Sequence, residues 1–248
     1  MSGWRVVGIE EHDAFRNMAI DESIVEHIKK GAAKPTIRFY RWNPSAVSIG
    51  RFQSMRDEIN LERCKELGVT AVRRITGGGA VYHDYEGELT YSIIAPESEF
   101  PKGIRESYGI ICGWIIAGLR NIGIEAKFAP INDILVAGKK ISGNAQTRRD
   151  GILLQHGTIL YNLDATKMFS VLNVSKEKIS DKAIKNVEDR VTCVSAQKGV
   201  SFDELYGAML KGLTENKDYA IEPLSQSEID RSETLTGKYS SDAWNLNR

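Results

Sequence analysis

The chain has 248 residues, 42% hydrophobic and 27% charged, enough for one large domain or two small ones with a sizeable core. Lys plus Arg and Asp plus Glu each number 33, so the formal net charge is zero, which argues against a broad nucleic-acid-binding surface and leaves room for a local basic pocket. Cys64, Cys112 and Cys193 form no CxxC pair, the N-terminal "MSGWRVVGIEEHD" has no apolar signal core, and no run approaches the ~18 apolar residues of a bilayer span; a reduced, cytoplasmic setting with no membrane partner is expected.

Along the chain, Phe15, Met18, Ile20, Ile24, Val25 and Ile28 fall near helical spacing, and a lysine pair and Gly31 close that segment as a helix over 14–31. "TIRFYRW" (36–42) and "SAVSIG" (45–50) read as strands, and "NLERCKELG" (60–68) as a short helix with Asn60 as N-cap and Gly68 just past its end. "VTAVRRI" and "AVYH" bracket Gly77, Gly78 and Gly79 as strand, loop and strand, and "ELTYSIIA" (88–95) is a further strand. Ile104, Tyr108, Ile111, Cys112, Ile115, Leu119 and Ile122 follow the i, i+3, i+4 pattern of a helix over 103–122, with Cys112 on its apolar stripe as a core thiol. Ala137–Gly138 and Asp150–Gly151 each stand between strand-like runs, so 132–162 is expected to be an antiparallel meander. "DATKMFSVLN" (164–173) reads as helical, "SFDE" (201–204) and "SQSE" (225–228) as capping boxes opening late helices, and 174–200 as a long polar segment of the functional or disordered kind. The fold class is α+β: antiparallel or mixed sheets with helices over one face of each, without the strand–helix alternation of a doubly wound fold.

Four stretches could carry chemistry. In "RRITGGGAVYHD" (73–84) three glycines let a ligand approach the backbone, and only one of Arg73 and Arg74 need point inward from a strand; the plain alternative is a flexible turn. The loop is neither GxGxxG nor GxxxxGK[ST], so dinucleotide and P-loop chemistry are unsupported. "NDILVAGKKISGNAQ" (132–146) supplies Asn132, Asp133, Lys139, Lys140 and Gly143, against the alternative of a solvated lysine and a strand-end cap. "LLQHGTIL" (153–160) places His156 beside Gly157 in an apolar strand, and "EDRVTCV" (188–194) carries Arg190 and Thr192. His12, His27, His83 and His156 match no metal-ligand spacing, and GxSxG is absent.

Taken in order, "NMAIDESI", "RFYRWNPSAVSIGRFQ", "RRITGGGAVYHD", "NDILVAGKKISGNAQ", "QHGTIL" and "RVT" resemble the lipoate–protein ligase A family over essentially the whole chain, 1–248, as a single catalytic domain. The superfamily also holds biotin–protein ligases and octanoyltransferases. The resemblance implies a biotin/lipoyl ligase-like fold and a two-step reaction, in which lipoate and MgATP give lipoyl-AMP and a lysine of an acceptor domain then displaces AMP. The acceptors implied are the lipoyl domains of 2-oxoacid dehydrogenase E2 subunits and the glycine-cleavage H protein. By motif match Lys140 is the catalytic lysine, set between the lipoyl carbonyl and the α-phosphate. The lipoyl- and adenylate-binding positions implied are Arg73, Arg74, Thr76, Gly77, Gly78, Gly79, His83, Asn132, Asp133, Ser142, Gly143, Ala145, His156, Gly157, Arg190 and Thr192, with one arginine of the pair Arg73/Arg74 facing inward, Asp84 orienting the wall beside His83, and Asp133 beside Mg2+.

Two departures stand out: the loop reads "RVTC" where the family has "RVTN", and the chain ends soon after "KYSSDAWNLNR", so a separate accessory subunit is expected to be needed for adenylate formation. The nearest rival is an octanoyl- or lipoyl-transferase, whose nucleophilic cysteine would fall near Glu125 or just before His156, near Leu153; neither place holds one. A biotin ligase lacks support because its basic glycine loop is missing, and a non-catalytic lipoyl-binding module because Lys140 and Asn132 are intact.

Overall fold

The structure, a computed structural model, describes residues 3–173 and 189–247. β1 (Trp4–His12) leads into α1 (Ala14–Lys29), whose N-cap Asp13 accepts the Arg16 N–H at 2.9 Å. β2 (Thr36–Trp42) and β3 (Ala46–Ile49) follow, then the short α2 (Met55–Glu58) and α3 (Leu61–Glu66), capped by Asn60 as the sequence predicts. β4 (Thr70–Arg73) and β5 (Val81–His83) flank the glycine loop. Next come β6 (Glu88–Pro96), α4 (Ile104–Asn121), β7 (Lys127–Ala129), β8 (Asp133–Val136), β9 (Lys139–Arg149), β10 (Ile152–Leu160) and α5 (Ala165–Val171). The last strand, β11 (Tyr219–Ile221), lies between the helices Phe202–Thr214 and Gln226–Tyr239, which open on the two capping boxes.

Eight strands form one sheet in the order β11-β1-β2-β6-β10-β9-β8-β7, and β4-β3-β5 form a second. The meander β8–β9–β10 is antiparallel, and both of its turns have positive φ at the two central residues: 48° and 83° at Ala137–Gly138, 55° and 80° at Asp150–Gly151. β1 pairs in parallel with β2 and β11, and β3 with β4, so the sheets are mixed.

The large sheet is covered on both faces, where the sequence led us to expect one. Phe39, Tyr91 and Ile93 pack on Ile111 and Ile115 of α4 and Met209 and Leu213 of the helix Phe202–Thr214; on the other face Val7, Ile94 and Leu154 pack on Ile20 and Ile24 of α1. Two covered faces explain why β6 and β10 read as near-continuous apolar runs. The small sheet rests on α2, α3 and α5 through Val47, Ile49, Met55, Cys64 and Val171. β1, β7, β11 and the short helices Met55–Glu58, Val194–Gln197 and Asp242–Asn245 are elements the sequence did not announce. Most of the expected polar segment 174–200 lies outside the described residues.

Candidate functional site

Between the two sheets lies a cavity of about 290 Å3, near the lower end of the ~300–1,000 Å3 usual for small-ligand sites. Its apolar walls come from Met18 of α1, Tyr40 and Trp42 of β2, Val81 and Tyr82 of β5, Leu160 of β10, and Met168 and Leu172 at α5. Gly78 and Gly79 of the glycine loop, Asn132, Lys140, Gly143, Ala145 and Val191 complete the lining.

Arg74, 4% exposed, organises the polar wall. All five of its N–H donors are used, and all on neutral acceptors. Nε donates to Thr76 Oγ1 (3.1 Å), Nη1 to the Ser48 carbonyl and hydroxyl (3.2 and 3.1 Å), and Nη2 to the carbonyls of Gly77 and Gly79 (2.7 and 2.8 Å). Burial draws the guanidinium down to about 10, still charged at neutral pH. Gly78 has φ +94°, and a Cβ there would stand 2.8 Å from Arg74 Nη2, so the middle glycine is set by both backbone sign and the arginine beneath it.

Two polar chains leave Arg74, each reaching a histidine that faces a buried carboxylate, by a hydrogen bond at His83 and by an ion-pair contact at His156. Thr76 Oγ1 accepts from Arg74 and lies 2.7 Å from His156 Nε2, while His156 Nδ1 faces Asp21 Oδ2 across 3.6 Å. On the other side Ser48 Oγ is 2.8 Å from His83 Nε2, and His83 Nδ1 is 2.8 Å from Glu88 Oε1. The His83 ring stacks on Trp42, centroids 4.0 Å apart, while Trp42 Nε1 donates to Thr90 Oγ1, which donates to Glu88. Burial holds His156 below its ordinary 6.5, outweighing the attraction of Asp21. Burial also pushes the Asp21 carboxyl up, but His156, Arg38 and Ser92 together hold it below its ordinary 3.8.

Lys140 stands at the mouth, its Nζ 2.7 Å from Asp133 Oδ1, both half-exposed. A Cβ on Gly143 would stand 2.7 Å from Lys140 Cε and Nζ, so the glycine keeps the path of this side chain open. Lys140 N–H donates to the Arg190 carbonyl and its own carbonyl accepts the Thr192 N–H, both at 2.8 Å, which pins 190–192 alongside β9.

The structure gathers Arg74, Gly78, Gly79, His83, Asn132, Lys140, Gly143, Ala145, His156 and Gly157 around the cavity. The other positions lie off its lining. Arg73 points the opposite way: its guanidinium donates to the carbonyls of Gly50, Arg51, Gln53, Trp244 and Asn245, locking the chain's last helix to the β3–α2 loop. Thr76 and Gly77 act from behind the wall through Arg74, and Ser142 is fully buried off the lining. Arg190 and Thr192 meet Lys140 only by backbone, and Val191 between them reaches the cavity. Asp84 bonds its own turn, accepting the Glu86 N–H, while Glu88 orients His83. Asp133 is engaged by Lys140, and among the described residues no group of three or more His, Cys, Asp or Glu gathers to hold a metal. One carboxylate, beside substrate phosphates and waters, is an ordinary protein share of a Mg2+ site, and Asp133 is the acid present here.

Sequence reasoning passed over Asp21, Ser48, Glu88 and Asn144. Asp21 in "MAIDES" falls among the apolar positions of α1 and Glu88 opens the apolar run of β6, and an acid at such a position marks a buried partnered charge. None of the three cysteines lines the cavity. Cys64 lies in the core under the small sheet, burial pushing it up to about 11; Cys112, pushed by burial to about 12, lies behind β9; Cys193 Sγ faces Ser195 Oγ at 3.4 Å.

A half-open, mainly apolar cavity with a cation at its mouth suits an enzyme handling a fatty or lipoyl-like acyl chain. Residues 13–214 match the lipoyl protein ligase A/B catalytic domain, and the chain belongs to that family. Among curated relatives it is 34% identical to the octanoyltransferase LipM of Brevibacillus brevis, covering 100% of both chains, and 34% identical to LipM of Bacillus subtilis, covering 99% of this chain and 98% of the relative. Among solved structures it is similar to the bi-partite lipoate protein ligase of the archaeon Thermoplasma acidophilum (TM-score 0.89, 32% identity, 99% of this chain and 96% of that one) and to a lipoate-protein ligase A bound with ATP (TM-score 0.86, 29% identity, 99% of each). The family expectation holds, as does the α+β fold. The ligase activity drawn from the motifs is corrected: relatives matched end to end are octanoyltransferases, the reading first set second for want of a cysteine at the anticipated places. Among the described residues no helix is long and apolar enough to cross a membrane.

Proposed function

We propose that the chain is a medium-chain acyltransferase that moves an octanoyl group from an activated thioester to the ε-amino group of a lysine on a lipoyl-type acceptor domain, an E2 lipoyl domain or a glycine-cleavage H protein. The observation that carries this reading is the placement of Lys140 Nζ at the mouth of a mainly apolar cavity. The alkyl chain lies between Trp42, Met168 and Leu160, and its carbonyl reaches the lysine. As the acceptor amine attacks the carbonyl carbon, the C–N bond forms and negative charge gathers on the carbonyl oxygen. Lys140 stabilises that charge, and collapse of the intermediate breaks the C–S bond. The proton lost by the amine passes to Asp133 and ends on the departing thiol.

No thiol stands in the cavity, so transfer is direct, with donor and acceptor bound together and no acyl-enzyme. The thioester carries its own activation, so ATP, Mg2+ and an accessory subunit for adenylation lie outside this reaction; lipoate would enter as a lipoyl thioester.

The test is intact-mass measurement of an apo acceptor domain mixed with the chain and either an octanoyl thioester or free octanoate with MgATP. Octanoylation is expected from the thioester alone. Modification only in the MgATP arm would overturn the proposal.

A further inference from the structure

Asn144 of β9 is 5% exposed and lines the cavity. Its side-chain Nδ2 donates to the Asn132 carbonyl at 2.8 Å, and its backbone N–H donates to the same carbonyl at 3.1 Å. In return Asn132 Nδ2 donates to the Asn144 carbonyl at 2.5 Å. Three bonds therefore clasp the turn at 130–132 to the strand beneath it. Packing does not hold that turn, since Ile131 is 74% exposed.

The clasp is anchored from the core. Asn144 Oδ1 accepts the hydroxyl of fully buried Tyr91 at 2.5 Å, and Gln155 Nε2 donates to that hydroxyl at 3.1 Å. Cys112 Sγ lies 3.5 Å from Asn144 Nδ2. A Cβ on Gly157 would stand 2.0 Å from Asn144 Oδ1, so the glycine of the His–Gly pair leaves space for this amide. Asp133, the residue after Asn132, holds the Lys140 ammonium.

We propose that Asn144 is a positioning residue for acyl transfer: it fixes the 130–132 turn so that Asn132 and the Asp133–Lys140 pair stand in register at the cavity mouth. The claim rests on the proposed transferase reading only in using transfer rate as a readout.

Asn144→Ser, Asn144→Asp and Tyr91→Phe are compared with the parent by acyl transfer, thermal unfolding, and amide exchange over 130–134. Asn144→Ser and Asn144→Asp are expected to lower kcat roughly 10–100-fold, with KM for the thioester within about threefold, and to speed exchange at 131–133. Tyr91→Phe, which frees Oδ1 but keeps the clasp, should fall between them and the parent. Gly157→Ala should reproduce the Asn144→Ser defect, and the double variant should be no worse than either single, because both disturb one group. Folded Asn144→Ser with parental kcat and parental exchange at 131–133 would overturn the proposal. If the parent transfers no octanoyl group, the transferase reading fails, and the exchange comparison still decides whether Asn144 holds the turn. If the Asn144 variants do not fold, a folded Gly157→Ala protein with parental kcat and parental exchange at 131–133 overturns it.

Discussion

Replacing Arg74 by alanine separates this arginine from its neighbour. The substitution removes the donors to Ser48 O, Thr76 Oγ1, Gly77 O and Gly79 O at once. A buried acceptor left without a donor costs ~1–3 kcal/mol. The two loop carbonyls border the cavity, where water can replace part of what is lost, so roughly 2–4 kcal/mol overall is expected. For a chain of this size that is a fall in Tm of ~5–15 °C. Arg73→Ala removes a comparable set of bonds to Gly50, Arg51, Gln53, Trp244 and Asn245 and should destabilise to a similar degree. The two must diverge in function. At a temperature where both are folded, Arg74→Ala should lose at least ~100-fold in transfer, because Thr76, Ser48 and the glycine loop lose their common anchor; Arg73→Ala should stay within about fivefold. Differential scanning calorimetry and the mass assay on the same preparations check this. Equal activity losses at equal Tm losses would refute the assignment of the two arginines.

Lys140→Ala should leave Tm nearly unchanged, since the Asp133 pair is half-exposed, and cut transfer ~10²–10³-fold by mass assay. Cys64→Ala, Cys112→Ala and Cys193→Ser combined should still transfer octanoate from the thioester, and steady-state kinetics should give intersecting lines; parallel lines with a mass-detected acyl-enzyme on any cysteine would defeat direct transfer. Stability should fall with acid in two stages. The unfolded chain binds a proton at His156 near its ordinary 6.5 that the folded chain refuses, so this contribution is full above 6.5 and lost as pH drops through it; Asp21 adds a loss below its ordinary 3.8. Urea titrations from pH 8 to 3 follow both, and His156→Gln should abolish the first stage and shrink the second, because His156 is one of the groups that hold Asp21 down. Octanamide should displace bound acyl thioester at lower concentration than octanoate, read from Trp42 fluorescence in the cavity.

What was legible in the sequence was local. The Asp150–Gly151 and Ala137–Gly138 turns, the Asn60 cap and the two capping boxes each depend on four or five adjacent residues, and each formed where the pattern put it. β1 was not legible because a register shift between Val7 and Glu10 breaks its alternation, and because its partners, β2 and β11, are parallel and distant in sequence. The direction of the arginine pair could not be read from "RRITGGG": it follows from Ile49 pairing with Arg73 and from Trp244 and Asn245 arriving at the far end of the chain. Lys140, His156 and the glycines were found as motif letters, whereas Asp21, Glu88 and Asn144 act through partners on other strands.

Charge is distributed around the cavity so that each cation has an acid within the same network. Arg38 pairs with Asp21 at 2.9 Å, Lys140 with Asp133 at 2.7 Å, and Arg74 connects through Ser48 and His83 to Glu88. The two histidines that face the cavity are links between these charges, with their acids one layer further back. A free carboxylate entering such a site must displace Asp133 from Lys140 to find a partner and must shed its own hydration. On the proposed reading a thioester carbonyl enters uncharged, and its attraction to Lys140 grows as charge develops on its oxygen during attack. On that reading the site favours a state that exists only along the reaction, which is the differential binding an acyltransferase requires.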